Sequence, residues 1–318
     1  MLIGVAHVPA TFAFYADSHF WQIARGNMLR YAWTPLLLVV GTGLAFAMAD
    51  ALVQGFILAG YWLWQIWHYG RQNIGVNAFI SIGATGKPAH PREKQLITAG
   101  IVAGLLGILQ VLAVGSLPDS WGPALAGLYK AGLILYGVVL VAVVIHLLSI
   151  HKQLVAIKAV AFLTCVLFFI PMYASHDIDG MFLSYAIAHG CQYMLFMGVT
   201  AAGLSVARKS TLMRVLAVTS MLAGAALIGW MSTLPAAWKE ATSSAIMPLP
   251  AINFLVGAVL GFTMAHFVID AGIWRLSQKA QREFVGEKFA FLLARSGDKK
   301  TAAMQGRAEP CATSPIRP

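Results

Sequence analysis

A chain of 318 residues with 59% hydrophobic and 11% charged residues and a mean hydropathy of +0.74 lies outside the range of water-soluble domains and inside that of polytopic membrane proteins. The formal charge of +10 does not point to nucleic acid, because Lys and Arg stand in short clusters between apolar runs and not on one basic face. Cys165, Cys191 and Cys311 show no CxxC spacing, so neither a disulfide framework nor a zinc ribbon follows.

The chain opens on MLIGVAHVPATFAFY, apolar but too short to cross a bilayer, which reads as a partial ninth span or an interfacial segment. No basic stretch and no small-residue cleavage site stand before the next run, which argues against a signal peptide. Eight apolar runs follow, at roughly 32–53, 56–80, 96–115, 123–149, 154–175, 181–206, 211–233 and 248–273. A bilayer core takes about 20 apolar residues per helix and leaves backbone groups no water to bond, so the expected fold is an all-α transmembrane bundle of about eight spans. GKPAHPREK, LPDSWGP, HDIDG and LPAAWKEATSS supply the connectors. Arg25 and Arg30, then Lys87, Arg92 and Lys94, then Lys152, then Arg208 and Lys209, and the tail from Arg275 fall on one side, leaving only Lys239 opposite. By the positive-inside rule both termini are expected in the cytoplasm, in what reads as a bacterial inner membrane. The helical domain is placed at 1–275 and a basic, partly disordered tail at 276–318.

The second run ends on IWHYGRQN, Ile66 to Asn73. Were the helix to stop at Trp67, His68 and Arg71 would simply meet headgroups. The following IGVNAFISIGATG is again apolar, so the helix can run on to about Ile82, placing His68, Arg71 and Gln72 at depth, where ionisable groups usually face a bundle interior. His189 and His266 also sit inside apolar runs, each with a polar partner three or four residues on: Gln192 and Tyr193 after His189, Asp270 after His266, as Gln72 follows His68. A lone intramembrane His is more often an interhelical hydrogen bond than a ligand, but three on different helices, with His7 as a fourth, favour a shared metal site. Gln72, Gln192 and Asp270 are its expected supports. Arg71 can pair with Asp50 or Asp270, or meet an anionic group of a substrate.

Other polar residues read more plainly. His146 has no partner on its own helix; whether it joins the site stays open. His19, His90 and His151 read as surface residues, and His176, Asp177 and Asp179 as an acidic turn before a cation site. Gly257 and Gly261 form a GxxxG close-packing signal just before His266. Trp62, Trp64 and Trp67 can line an apolar slot or face lipid.

At these motifs the chain resembles the Brp/Blh-type membrane β-carotene dioxygenases. IGVAHVPAT is similar to that family's G-x-P-H-G opening, WHYGRQN to its W-H-[WFY]-G segment, and LSYAIAHGCQY to its Y-F-x-x-x-H-S segment. The resemblance covers three short segments and implies non-haem iron held by His7, His68 and His189. The family's second late histidine is replaced here by Tyr193, with His266 available to supply the missing nitrogen, and Thr11 stands near an expected acid.

Imidazoles with at most one carboxylate suit Fe(II), Zn or Cu. The reading that follows is a membrane-embedded iron-dependent oxygenase acting on an apolar isoprenoid or fatty-acyl lipid, with Arg71 and Tyr193 as candidate catalytic residues. Two alternatives stand beside it: a transporter or channel using His, Arg and Asp as a proton or anion path, and a haem-binding subunit. The metal reading requires His68, His189 and His266 to lie within about 10 Å of one another.

Overall fold

The computed structural model describes residues 2–113, 118–175, 178–202, 210–231, 233, 249–275 and 277–290. The structure is 90% helical, with no strand among the described residues. The helices are α1 (Leu2–Ala10), α2 (Ser18–Arg25), α3 (Thr34–Met48), α4 (Ala51–Thr85), α5 (Pro91–Ala113), α6 (Gly122–Ser149), α7 (Ala156–Leu167), α8 (Pro171–Ala174), α9 (Ile178–Ala202), α10 (Thr211–Met231), α11 (Leu249–Ile273) and α12 (Lys279–Lys288).

Four described segments are long and apolar enough to cross a membrane: Leu29–Met48, Asp119–Ser149, Thr211–Met231 and Leu249–Ile273. The apolar runs lead one to expect about eight; the four are counted among the described residues, and part of the difference has physical causes. Gln54, Gln65 and His68 lower the hydropathy of the unbroken α4, and His189 and Gln192 that of α9. The run at 154–175 is broken in two: α7 has 12 residues, and a turn separates it from α8, which begins at Pro171.

α4 is the axis of the fold. The Asp50 carboxylate caps its first turn by accepting from the Val53 N–H at 2.9 Å. Its end is set by Gly86, at φ 67°, a left-handed conformation that a side chain would strain, with the Gly86 N–H donating to the Ile82 carbonyl at 2.8 Å. The helix thus runs past Trp67 without a break, and at a rise of about 1.5 Å per residue His68 lies near the middle of a rod roughly 50 Å long.

Two apolar cores flank α4. One joins it to α5, α6 and α7 through Ile66, Ile101, Tyr136, Phe162, Val166 and Phe169. The other is built from Phe14, Phe20, Tyr31, Phe79, Met197, Ile269, Phe284 and Val285, drawing on the N-terminal helices, α9, α11 and α12. α1 packs mainly against α9 and α10. The GxxxG of α11 lies against the α3 backbone: a Cβ on Gly261 would overlap the Leu38 carbonyl, and one on Gly257 would stand 2.5 Å from the Thr42 carbonyl oxygen. Outward faces of α3, α6 and α10 expose Leu37, Ile134, Val141, Leu148, Leu212 and Leu227, as helices in lipid do.

The tail expected from residue 276 opens with α12, which docks by a buried ion pair, Lys288 Nζ to Asp17 Oδ2 at 2.6 Å. Asp17 also caps α2, accepting from the His19 N–H at 2.8 Å and the Phe20 N–H at 3.3 Å. Burial alone would raise the Asp17 carboxyl, but the Lys288 ammonium and these two N–H groups outweigh it and hold the group below its ordinary 3.8. Arg208, Lys209, Lys239, His176, Asp177, Cys311 and the tail beyond residue 290 lie outside the described residues, as does the side chain of Asp179.

Candidate metal centre

Four helices each bring one histidine to a common point: His7 from α1, His68 from α4, His189 from α9 and His266 from α11. The neighbouring ring centroids are 4.5 Å apart for His7–His189, 5.3 Å for His189–His68, 5.0 Å for His68–His266 and 5.1 Å for His266–His7. The four rings therefore close a circuit, with His189 and His266 at 6.5 Å across it. All four are buried, His189 and His266 completely.

Nitrogen ligands bond such ions at about 2.0–2.1 Å, which sets the centroids of adjacent ligand rings roughly 5 Å apart. Aromatic packing alone also produces separations of about 4.5–7 Å, so the spacing is necessary but not decisive. The ring nitrogens discriminate. His68 Nε2, both nitrogens of His189 and His266 Nε2 have no hydrogen-bond partner among the described residues, and neither has Asp270 Oδ2. Orphaning that many polar atoms inside one apolar bundle is costly, and a cation would satisfy one nitrogen of each ring together with the carboxylate oxygen. Two donor sets have ligand atoms within 4.8 Å of one another: His7, His189 and His266, and His68, His266 and Asp270. They share His266.

His266 is held from behind. Its Nδ1 is hydrogen-bonded to the Thr11 hydroxyl and lies 3.6 Å from Asp270 Oδ2, which leaves Nε2 as the free donor. The Tyr193 hydroxyl completes the network, 2.6 Å from Thr11 Oγ1 and donating to Asp270 Oδ1 at 2.7 Å. The second Asp270 oxygen lies 3.9 Å from His68 Nε2. Phe267 stacks on His68 at 4.4 Å, and Tyr69 lies 4.2 Å from the His189 ring.

The supporting residues fall differently from their sequence positions. Asp270 lies beside His266, one turn away on α11. Gln72 and Gln192 instead bond each other, Nε2 to Oε1 at 3.0 Å, and tie α4 to α9. Arg71 is exposed, its guanidinium 5.9 Å from the Trp67 ring centre, and makes no ion pair with Asp50 or Asp270 among the described residues. His146 belongs elsewhere: its Nε2 lies 3.8 Å from Glu93 Oε1, in a cluster where Lys158 pairs with the same oxygen at 2.9 Å and Asn77 donates to Oε2 at 3.1 Å. Thr11 is the participant that sequence reasoning passed over as a departure from a motif. Its contacts, to His266, Tyr193 and Asp270, all lie on other helices, so no spacing in the sequence signals them.

A cavity of about 850 Å³ leads to the site. His68, Tyr193, Asp270 and Phe267 line its buried part, and Trp64, Trp67, Phe79, Phe196 and Trp274 add aromatic walls. No family model, curated protein or solved structure matches the chain.

Proposed function

We propose that the protein is a membrane-embedded, metal-dependent oxygenase or related oxidoreductase acting on an isoprenoid or fatty-acyl lipid, and a divergent relative of the Brp/Blh-type dioxygenases. The observation that carries the reading is the set of unpartnered ring nitrogens of His68, His189 and His266 where α4, α9 and α11 meet. His7, His68, His189 and His266 would hold the ion, with Asp270 within reach as a fifth donor. Nitrogen-rich donors with one carboxylate and no thiolate suit Fe(II), Zn or Cu, and the resemblance to the dioxygenases is what singles out Fe(II). Bound there, iron would supply dioxygen activation. The chain's own residues do the rest: Thr11 and Asp270 orient His266, Tyr193 holds a proton on its hydroxyl beside the site, and the aromatic walls exclude bulk water while admitting an apolar chain.

The crowding of the rings favours a bare ion over haem, since the plane a macrocycle would need between any facing pair is taken by the other two imidazoles. The eight-span topology, with both termini on the cytoplasmic face of a bacterial inner membrane, belongs to this proposal. The basic connectors support it.

Elemental analysis with an optical spectrum of purified protein tests the reading. About one iron per chain and no Soret band is the expected outcome. A Soret band would transfer the site to haem, and neither metal nor chromophore would leave a proton or anion path as the better account.

A further inference from the structure

Three cations from three parts of the chain line the same cavity: Arg71 on α4, Lys94 in the first turn of α5, and Arg275 just after α11. All three are exposed, and the sole carboxylate among the lining residues is Asp270, at the buried end. The cavity is thus polarised, positive at its exposed end and aromatic within, with a candidate metal site at its base. Like charges drawn to one opening repel, and an anion seated among them relieves that repulsion. Arg71 is prepared for such a role: its guanidinium stands over Trp67, which leaves its N–H fork free for an oxyanion. It follows His68 by three residues, about 4.5 Å along the axis of the same helix. The volume of about 850 Å³ is in the range that encloses one drug-sized molecule.

We infer that the substrate is a single-chain amphiphile with an anionic head, a carboxylate or a phosphate. Its head rests among Arg71, Lys94 and Arg275, and its apolar chain runs between Trp64, Phe267 and Trp274 toward the imidazoles. The inference rests on the oxygenase reading for its claim that the amphiphile is a substrate. The binding claim stands on the cavity.

The test uses the full chain in nanodiscs of phosphatidylcholine, loaded with cis-parinaric acid, whose polyene accepts energy from tryptophan. Palmitate, hexadecyl phosphate and hexadecanol compete for the probe, and iron is measured on the same samples. Palmitate, hexadecyl phosphate or both should displace the probe at least tenfold better than the alcohol, and the better of the two names the head. Arg71→Gln and Arg275→Gln should each weaken that anion on the order of tenfold, the effect of one charge-assisted contact, without changing the alcohol. Equal displacement by all three, or no response to either substitution, overturns the inference and leaves the metal site standing if iron is present. Charge-selective binding in protein that carries no metal overturns the substrate role together with the oxygenase reading.

Discussion

His266 is the one donor common to both ligand sets, and its Nδ1 is already engaged by Thr11. His266→Ala should therefore abolish metal retention, and His68→Ala and His189→Ala should cut it severely. His146→Ala, at the separate Glu93 cluster, should leave the metal content unchanged. Elemental analysis of folded variants decides; equal loss in all four, or in none, would contradict the assignment. Thr11→Val keeps the shape but removes the hydroxyl that holds the ring, and should weaken metal affinity about 10–100-fold in chelator competition, the usual scale for such supports. The histidines were legible in the sequence because an ionisable group in an apolar run is costly and needs a reason. Asp270 was legible because its partner is on its own helix. Gln72 and Gln192 were not legible as each other's partners, because a spacing of three or four residues names a neighbour on the same helix, whereas each amide bonds across to the other. Glu93 was illegible as the partner of His146 because it reaches it from another helix, and Lys158 joins the cluster through Glu93 from a third.

At the scale of elements, the contact of α3 with α11 sets where His266 sits. Gly261→Ala forces a methyl into the Leu38 carbonyl, which only a backbone shift relieves, and should cost about 1–3 kcal/mol and part of the bound metal. Gly198→Ala on α9, where nothing lies within 4 Å of an added Cβ, should be neutral or slightly stabilising when both variants are compared by thermal melt. The docking of α12 carries a pH signature. The folded Asp17 carboxyl lies below its ordinary 3.8, so the ion pair's contribution is full above that value and is lost as pH falls through the lower folded value. Lys288→Met should cost about 3 kcal/mol near neutrality, by leaving a buried carboxylate unpaired. The Tm gap between wild type and variant should narrow as pH drops below 3.8; a gap independent of pH would contradict this account. The GxxxG packing could be read in the sequence, but α12 could not: polar composition resembles disorder until Asp17, some 270 residues away, is seen to receive Lys288.

For the whole molecule, the bundle places apolar faces outward and imidazoles inward, the arrangement a bilayer demands. Val141 on the outer face of α6 is 61% exposed, so Val141→Arg should lower membrane insertion by about 2.5–3.5 kcal/mol in an insertion reporter, whereas Lys152→Arg, beyond the end of that helix, should change nothing. Hydropathy revealed the class and α4's continuity past Trp67, but it could not locate the break before Pro171 or show which helices meet. Convergence is a property of packing between distant segments. The account turns on one ion gripped by those convergent rings, and X-ray absorption at the metal edge of the purified protein reads this directly. It should show three or four imidazole nitrogens at about 2.0–2.2 Å, with their outer-ring scattering, and at most one carboxylate oxygen. A shell of oxygen alone, a sulfur ligand, or no edge at all would contradict it.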